Sequence, residues 1–341
     1  MPVLSRKSLA PVLASAGIVL VLGWWTFPRS ERKPLSPAGP ESRVKAELPQ
    51  AQTFLSQGEW DRALTVLEEL ARCEPPDLAA LEELRWLNFN LLRSREALRI
   101  LHRKLASGDL VALPDILDTQ QRQPVPQESV RTLEEVDRKR PDQPVLLSAL
   151  GRCRWHLGEL AEARRLLGRA LEQRPDDTHI RLTMAEFLLE QGEVDEAEKL
   201  LLTDRAQGGP GLPAALADDS QSWLLRSQIE DRRGHAAAAL ALLERAITLE
   251  PARIDLLTRR ATLLRLLKRE EEAREAAKQV DRRAAAGREL AALVDAGKHR
   301  NPAHADALRF SSLCETLGRS DESQGWTAIA GRLAELNRNG R

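Results

Sequence analysis

The stretch Leu147–Pro175, LSALGRCRWHLGELAEARRLLGRALEQRP, reads as a helix, a tight turn and a second helix. Leu147, Leu150, Gly151 and Arg154 recur at spacings of three and four, which places them on one face of a helix. Gly158 follows where the chain must turn, because glycine enters the left-handed region that ends a helix without a steric cost. In the second helix Ala163, Leu167 and Ala170 share a face. The alanines let two helix backbones approach closely, and Leu167 supplies apolar bulk. Pro175 then stops the helix, since it donates no backbone hydrogen bond and does not fit inside a helical turn.

The rest of the chain copies this unit. The small residue that opens each second helix recurs as Ala63, Ala97, Ser129, Ala163, Ala197, Ala239, Ala273 and Ser323, at gaps of 34, 32, 34, 34, 42, 34 and 50 residues. Four residues beyond each stands Leu67, Leu101, Leu133, Leu167, Leu201, Leu243, Ala277 or Thr327. The turn glycine five residues before is Gly58, Gly158, Gly192, Gly234 and Gly318, whereas Leu92, Pro124 and Lys268 replace it elsewhere. Pro75, Pro141, Pro175 and Pro251 supply helix stops.

This period and pairing resemble the tetratricopeptide repeat. The last stretch, LRFSSLCETLGRSDESQGW at 308–326, resembles bacterial units of the form LCxxLGRxDEAxxW, with Ser323 where alanine is usual. The resemblance implies an all-α fold, a right-handed α-solenoid of about eight helix pairs whose neighbours bury one another's apolar faces. The expected units are 44–77, 78–109, 110–143, 144–177, 178–211, 220–253, 254–287 and 304–337, interrupted by insertions at 212–219 and 288–303 and followed by a short tail at 338–341. The second insertion, with Leu290 and Leu293 at helical spacing, is expected to form a helix of its own, and the proline-rich third unit is the expected hinge.

Ahead of the repeats, residues 9–27 (LAPVLASAGIVLVLGWWTF) carry no charge and end in Trp24 and Trp25, side chains suited to a membrane interface. They read as a transmembrane helix or signal anchor behind a basic tail at 1–8. A cleavable signal peptide competes, but the small-x-small pattern at Ala14–Ala16 lies too early, and cutting there would leave an apolar stub. Residues 28–43 read as a Pro-rich linker. The basic start favours a single-pass protein of the bacterial inner membrane with the repeats outside the cytoplasm. Arg29, Arg32, Lys33, Arg43 and Lys45 after the span argue for the cytoplasmic side instead.

A formal net charge of zero removes any global electrostatic case for nucleic acid. The three cysteines, Cys73, Cys153 and Cys314, are far apart and odd in number, so they outline neither a disulfide framework nor a metal site. Phosphate-cradling glycine loops, zinc-binding HExxH and nucleophile-elbow motifs are absent, which argues against an enzyme and against a cofactor. The nearest catalytic candidates are His299 with His304, flanking Pro302, and Cys153 near His156; residues three apart on a helix point into separate environments, which argues against Cys153 and His156 as a working pair.

What the repeat resemblance does imply is an inner groove. Trp86 and Phe89 of the second unit, Arg152, Trp155 and His156 of the fourth, Glu186 and Leu189 of the fifth and Gln228 of the sixth fall on that face by register. Exposed aromatics and an arginine there would anchor a protein or peptide partner. If the degenerate units roll their helices, Trp86 and Trp155 are buried instead. Trp60, Trp223 and Trp326 occupy packing positions. The function read from the sequence is a membrane-tethered protein-interaction scaffold without catalysis. The alternative is a cell-envelope assembly or transport factor that takes lipid or glycan chains in the same groove.

Overall fold

The computed structural model describes residues 40–121, 124–201, 216 and 219–339. The expected basic tail and membrane span, the linker up to residue 39, most of the first insertion and the last two residues lie outside the described residues. Among the described residues no helix is long and apolar enough to cross a membrane. The repeats lie in one compact unit, Arg43–Arg341.

The described residues form sixteen α-helices and no strand. They are α1 (Pro40–Gln57), α2 (Trp60–Ala71), α3 (Leu78–Asn90), α4 (Ser94–Ala106), α5 (Ala112–Gln121), α6 (Pro126–Lys139), α7 (Pro144–His156) and α8 (Leu160–Gln173). Then come α9 (Thr178–Glu190), α10 (Val194–Leu201), α11 (Ser220–Arg232), α12 (Ala236–Leu249), α13 (Ile254–Leu266), α14 (Glu270–Asp295), α15 (His304–Leu317) and α16 (Ser320–Asn339). Helix α1 starts inside the stretch read as linker, with Pro40 in its first turn, where a missing N–H costs nothing.

The apolar periodicity explains the pairs. In α2, Trp60, Ala63, Leu64, Leu67, Leu70 and Ala71 make one buried stripe. The tight turns inside the pairs place one residue in the left-handed region: Gly58, Gly158, Gly192, Gly234 and Gly318 adopt it, and so do Leu92 at φ 58° and Lys268 at φ 57°. The turn geometry therefore persists at these two positions, where the sequence lacks glycine. Asp77 and Asp177 cap α3 and α9 by accepting from the N–H of Ala80 and Ile180, at 2.8 and 3.0 Å.

From α7 to α16 the pairs stack in chain order, each second helix against the first helix of the next pair. The first part follows that order from α2 to α5 and then departs from it. Helix α2 packs on α7, and Gln143 at the start of α7 accepts from the N–H of Asp61 at 3.1 Å and donates to the carbonyl of Gly58 at 2.8 Å. Helices α3, α4 and α5 instead run from this end of the stack to the other. Leu101 and Leu105 of α4 and Ala112, Leu113, Ile116 and Leu117 of α5 share one core with Leu290 and Val294 of α14, Phe310 and Leu313 of α15 and Trp326 of α16.

One expectation changes here. Helix α14 continues unbroken to Asp295, so the start of the second insertion extends a helix rather than forming its own. Gly287 alone does not interrupt a run rich in strong helix formers, and a side chain there would meet open space. In the proline-rich third unit Pro114 sits in the first turn of α5 and Pro126 opens α6, both tolerated positions, and α5 is buried along one whole face.

Candidate functional site

The residues expected in the groove divide into a core set and an accessible set. Trp155 is 7% exposed and Leu189 1%, and both belong to the core of the fourth to sixth pairs. The Trp155 ring meets Phe187 edge-on at 5.6 Å, and its Nε1 donates to Glu190 at 3.1 Å. Trp86, half-buried, packs edge-on against Trp60 at 5.6 Å within the core of the first pairs. Phe89 and Gln228 are half-buried on α3 and α11. Of the three tryptophans assigned to packing, Trp60 and Trp326 are buried. Trp223 is half-buried between the guanidiniums of Arg226 and Arg245, 4.5 and 4.6 Å from its ring centre.

Arg152, His156 and Glu186 remain reachable and lie together. Arg152 donates from Nη2 to Glu186 at 3.2 Å, which joins α7 to α9, and from Nη1 to the carbonyl of Leu92 at 3.3 Å, which joins both to the turn before α4. His156, one turn further along α7, is exposed and stacked on Trp155 with ring centres 5.2 Å apart. The buried tryptophan thus sets the plane of an exposed imidazole.

Arg152 and His156 line a pocket of about 450 Å³ between the start of α4 (Leu92 to Glu96), Pro124 and Pro126 ahead of α6, the accessible face of α7, and His179 at the start of α9. The sequence reading missed the α4 side of this pocket. Arg93 and Arg95 follow the left-handed turn at Leu92, a position at which the other pairs carry no comparable cluster, and only the path of α3–α5 across the stack brings them to α7 and α9. Arg95 donates to Gln221 Oε1 at 2.9 Å.

The electrostatics of the pocket are positive. Burial and then the charges of Arg93, Arg152, Arg95 and Arg99 drive the His179 imidazole well below its ordinary value. Burial and Arg152 lower His156 as well. Both rings are therefore neutral near pH 7 and offer one donor and one acceptor each.

The other candidate chemistry is placed elsewhere. Cys153 lies in the core of the first pairs, and burial pushes its thiol up to about 11, which leaves it without the thiolate a nucleophile needs. His299 is buried, with Nε2 3.2 Å from Asp118 Oδ1; Arg300 donates to the other oxygen at 2.6 Å, so this group fastens α5 to the loop before α15. His304 is half-buried at the start of α15. Cys314 is buried, and Cys73 is partly exposed. Among the described residues no group of three or more His, Cys, Asp or Glu is arranged to hold a metal ion.

The chain carries tetratricopeptide repeats: residues 126–179 and 157–229 match that family. No curated protein sequence matches it. Among solved structures it is similar to MamA from residue 41 onward, from Desulfovibrio magneticus RS-1, at 19% identity over 56% of this chain and 93% of that one, with a TM-score of 0.38. It is also similar to PilW, described as a widely conserved type IV pilus biogenesis factor, at 14% identity over 69% and 91% of the two chains, with a TM-score of 0.39. A third is PilF of Pseudomonas aeruginosa, at 15% identity over 72% and 98%, with a TM-score of 0.37.

Proposed function

We propose that this tetratricopeptide-repeat protein is a non-catalytic protein-interaction scaffold, tethered to the bacterial inner membrane by residues 9–27, with its repeats outside the cytoplasm. The observation that carries the interaction reading is the pocket where Arg152 and His156, with Glu186 bound to Arg152, stay accessible while Trp155, in the core, stacks on His156. A rigid apolar base under a few polar groups of fixed orientation is the usual anatomy of a recognition surface. Within it, Arg152, His156 and Glu186 make direct contact with a partner segment, and Trp155 and Leu189 act by positioning them. Trp86, Phe89 and Gln228 extend the surface along α3 and α11. The tether rests on the uncharged run at 9–27 and the orientation on the basic start.

Affinity capture from solubilised membranes tests the surface. A partner retained by the wild type should be lost with Arg152→Ala and His156→Ala variants that keep their helix content. A partner held equally by all three would move the binding surface elsewhere, and co-purifying lipid or glycan found in place of a protein would replace the scaffold reading with carriage of such chains. An alkaline phosphatase fusion after Arg341 should be active, and an inactive fusion beside an active cytoplasmic reporter would reverse the orientation.

A further inference from the structure

Two guanidiniums at the pocket are hydrogen-bonded to no carboxylate among the described residues. Arg93 is 5% exposed, lines the pocket, and its Nη2 is buried without a hydrogen-bond partner. Among the described residues Arg95, half-buried, is hydrogen-bonded only to the neutral amide of Gln221; burial lowers its pKa, and the charges of Glu96, Asp219 and Glu186 oppose that without a hydrogen bond. Asp61 and Glu68 of α2 feel the charge of Arg93, but no hydrogen bond joins them to it, and Asp61 is the acceptor of Arg174. Burying a cation without a hydrogen-bonded counter-charge is costly, so the arrangement is stable only if something else is gained.

The same place holds a second attraction for an anion. Helix α4 has thirteen residues, and its N-cap, Arg93, makes no side-chain capping hydrogen bond. The first N–H groups of α4 therefore add the positive end of a helix to two guanidiniums, at a pocket where Arg152 stands opposite. The one carboxylate lining it is Glu96, which is shared between Arg99 at 3.6 Å and His179 at 3.9 Å.

We propose that this pocket binds a dianionic phosphate group, through Arg93, Arg95, Arg152 and the free N–H groups of α4. One buried and one half-buried guanidinium without a hydrogen-bonded carboxylate, plus a helix terminus, call for more than one negative charge, which a single carboxylate does not supply and a phosphate does. Guanidinium forks match phosphate oxygens two at a time. The pocket is several times larger than the anion, and Leu92, Leu98 and the two prolines give its remainder an apolar wall, which suits a phosphate carried on a partner's side chain. In that form the inference rests on the interaction reading above.

The test is a calorimetric titration of the full chain in detergent, at pH 7.5, with three probes: inorganic phosphate, a phosphoserine peptide and the same peptide unphosphorylated. The phosphopeptide should bind at least tenfold more tightly than its unphosphorylated form. Inorganic phosphate binding as tightly as the phosphopeptide would keep the site and assign it to a free phosphate. Arg93→Gln and Arg95→Gln should each weaken binding at least tenfold, with a melting temperature no lower than the wild type's, because each removes a guanidinium that no carboxylate hydrogen-bonds. Glu96→Gln should tighten binding severalfold, a gain that misfolding does not produce. No binding of either phosphate probe by the wild type, or binding indifferent to all three substitutions, overturns the proposal. The titration contains no partner protein, so its failure leaves membrane capture as a separate test of the scaffold.

Discussion

Arg99 of α4 and Asp219 at the start of α11, 120 residues apart, form a hydrogen-bonded ion pair at 2.7 Å that fastens the crossing helix to the stack. The same carboxylate caps α11 by accepting from the N–H of Gln221 at 2.8 Å and of Ser222 at 3.3 Å. One buried oxygen pair therefore holds a helix terminus and a long-range contact together.

Asp219→Ala should destabilise the protein by about 2–3 kcal/mol, from the lost cap and the lost charge-assisted bond. Asp219→Asn, which retains the cap, should cost about half of that. Burial would raise the Asp219 carboxyl, but the hydrogen bond and charge of Arg99, the charge of Arg95 and the Gln221 N–H outweigh it and hold the carboxyl below its usual range. A depressed folded value means that the contribution is fully present above the unfolded pKa of about 3.9 and is lost as pH falls through the folded value. Denaturant melts between neutral pH and strong acid should show a steeper acid loss in the wild type than in Asp219→Asn. Equal slopes would assign acid sensitivity to other carboxylates.

Lys268 and Leu92 hold left-handed backbone without glycine. Lys268→Gly should raise stability by about 0.5–1 kcal/mol, since it relieves that strain at an exposed turn. Gly158→Ala, at φ 81°, should lower it by a similar amount. Paired urea titrations check both, and a Lys268→Gly variant less stable than the wild type would contradict the strain argument.

Trp155→Ala should cost about 3–5 kcal/mol of stability, the range for a large core residue cut to alanine, rather than the unchanged melting temperature of a surface anchor. It should also loosen His156, which stacks on it. Thermal melts and the width of the His156 ring resonance provide the two readouts.

Glu322, 2% exposed in α16, is approached by His102 of α4 and Gln120 of α5, each at 3.2 Å, and by Cys314 at 3.8 Å. Burial, with the charge of Glu322 beside it, pushes the Cys314 thiol up to about 12. Glu322→Ala should destabilise by about 1–3 kcal/mol, by stranding these donors. It should also raise amide exchange in α5 more than in α9. Uniform exchange across both helices would mean that α5 is not a separately held element.

The local grammar of this chain was legible in its sequence. The spacing of Ala163 and Leu167 gives the helix faces, and the recurrence of Gly58, Gly158, Gly192, Gly234 and Gly318 gives the turns, because both depend on the residues within one turn of helix. The same register placed Arg152, His156 and Glu186 on one accessible surface but could not tell that Trp155 and Leu189 lie beneath it. Periodicity reports that a face is apolar, and a small rotation of the helix decides which edge of that face is covered. Register also could not show that α4 and α5 pack at the far end of the stack. The apolar stripe of α5 would fit either the neighbouring pair or the far one, and only contacts such as Arg99 with Asp219 and Gln120 with Glu322 select between them. The pocket follows from that choice, since Arg93 and Arg95 reach α7 and α9 only through a helix packed against elements more than fifty residues away.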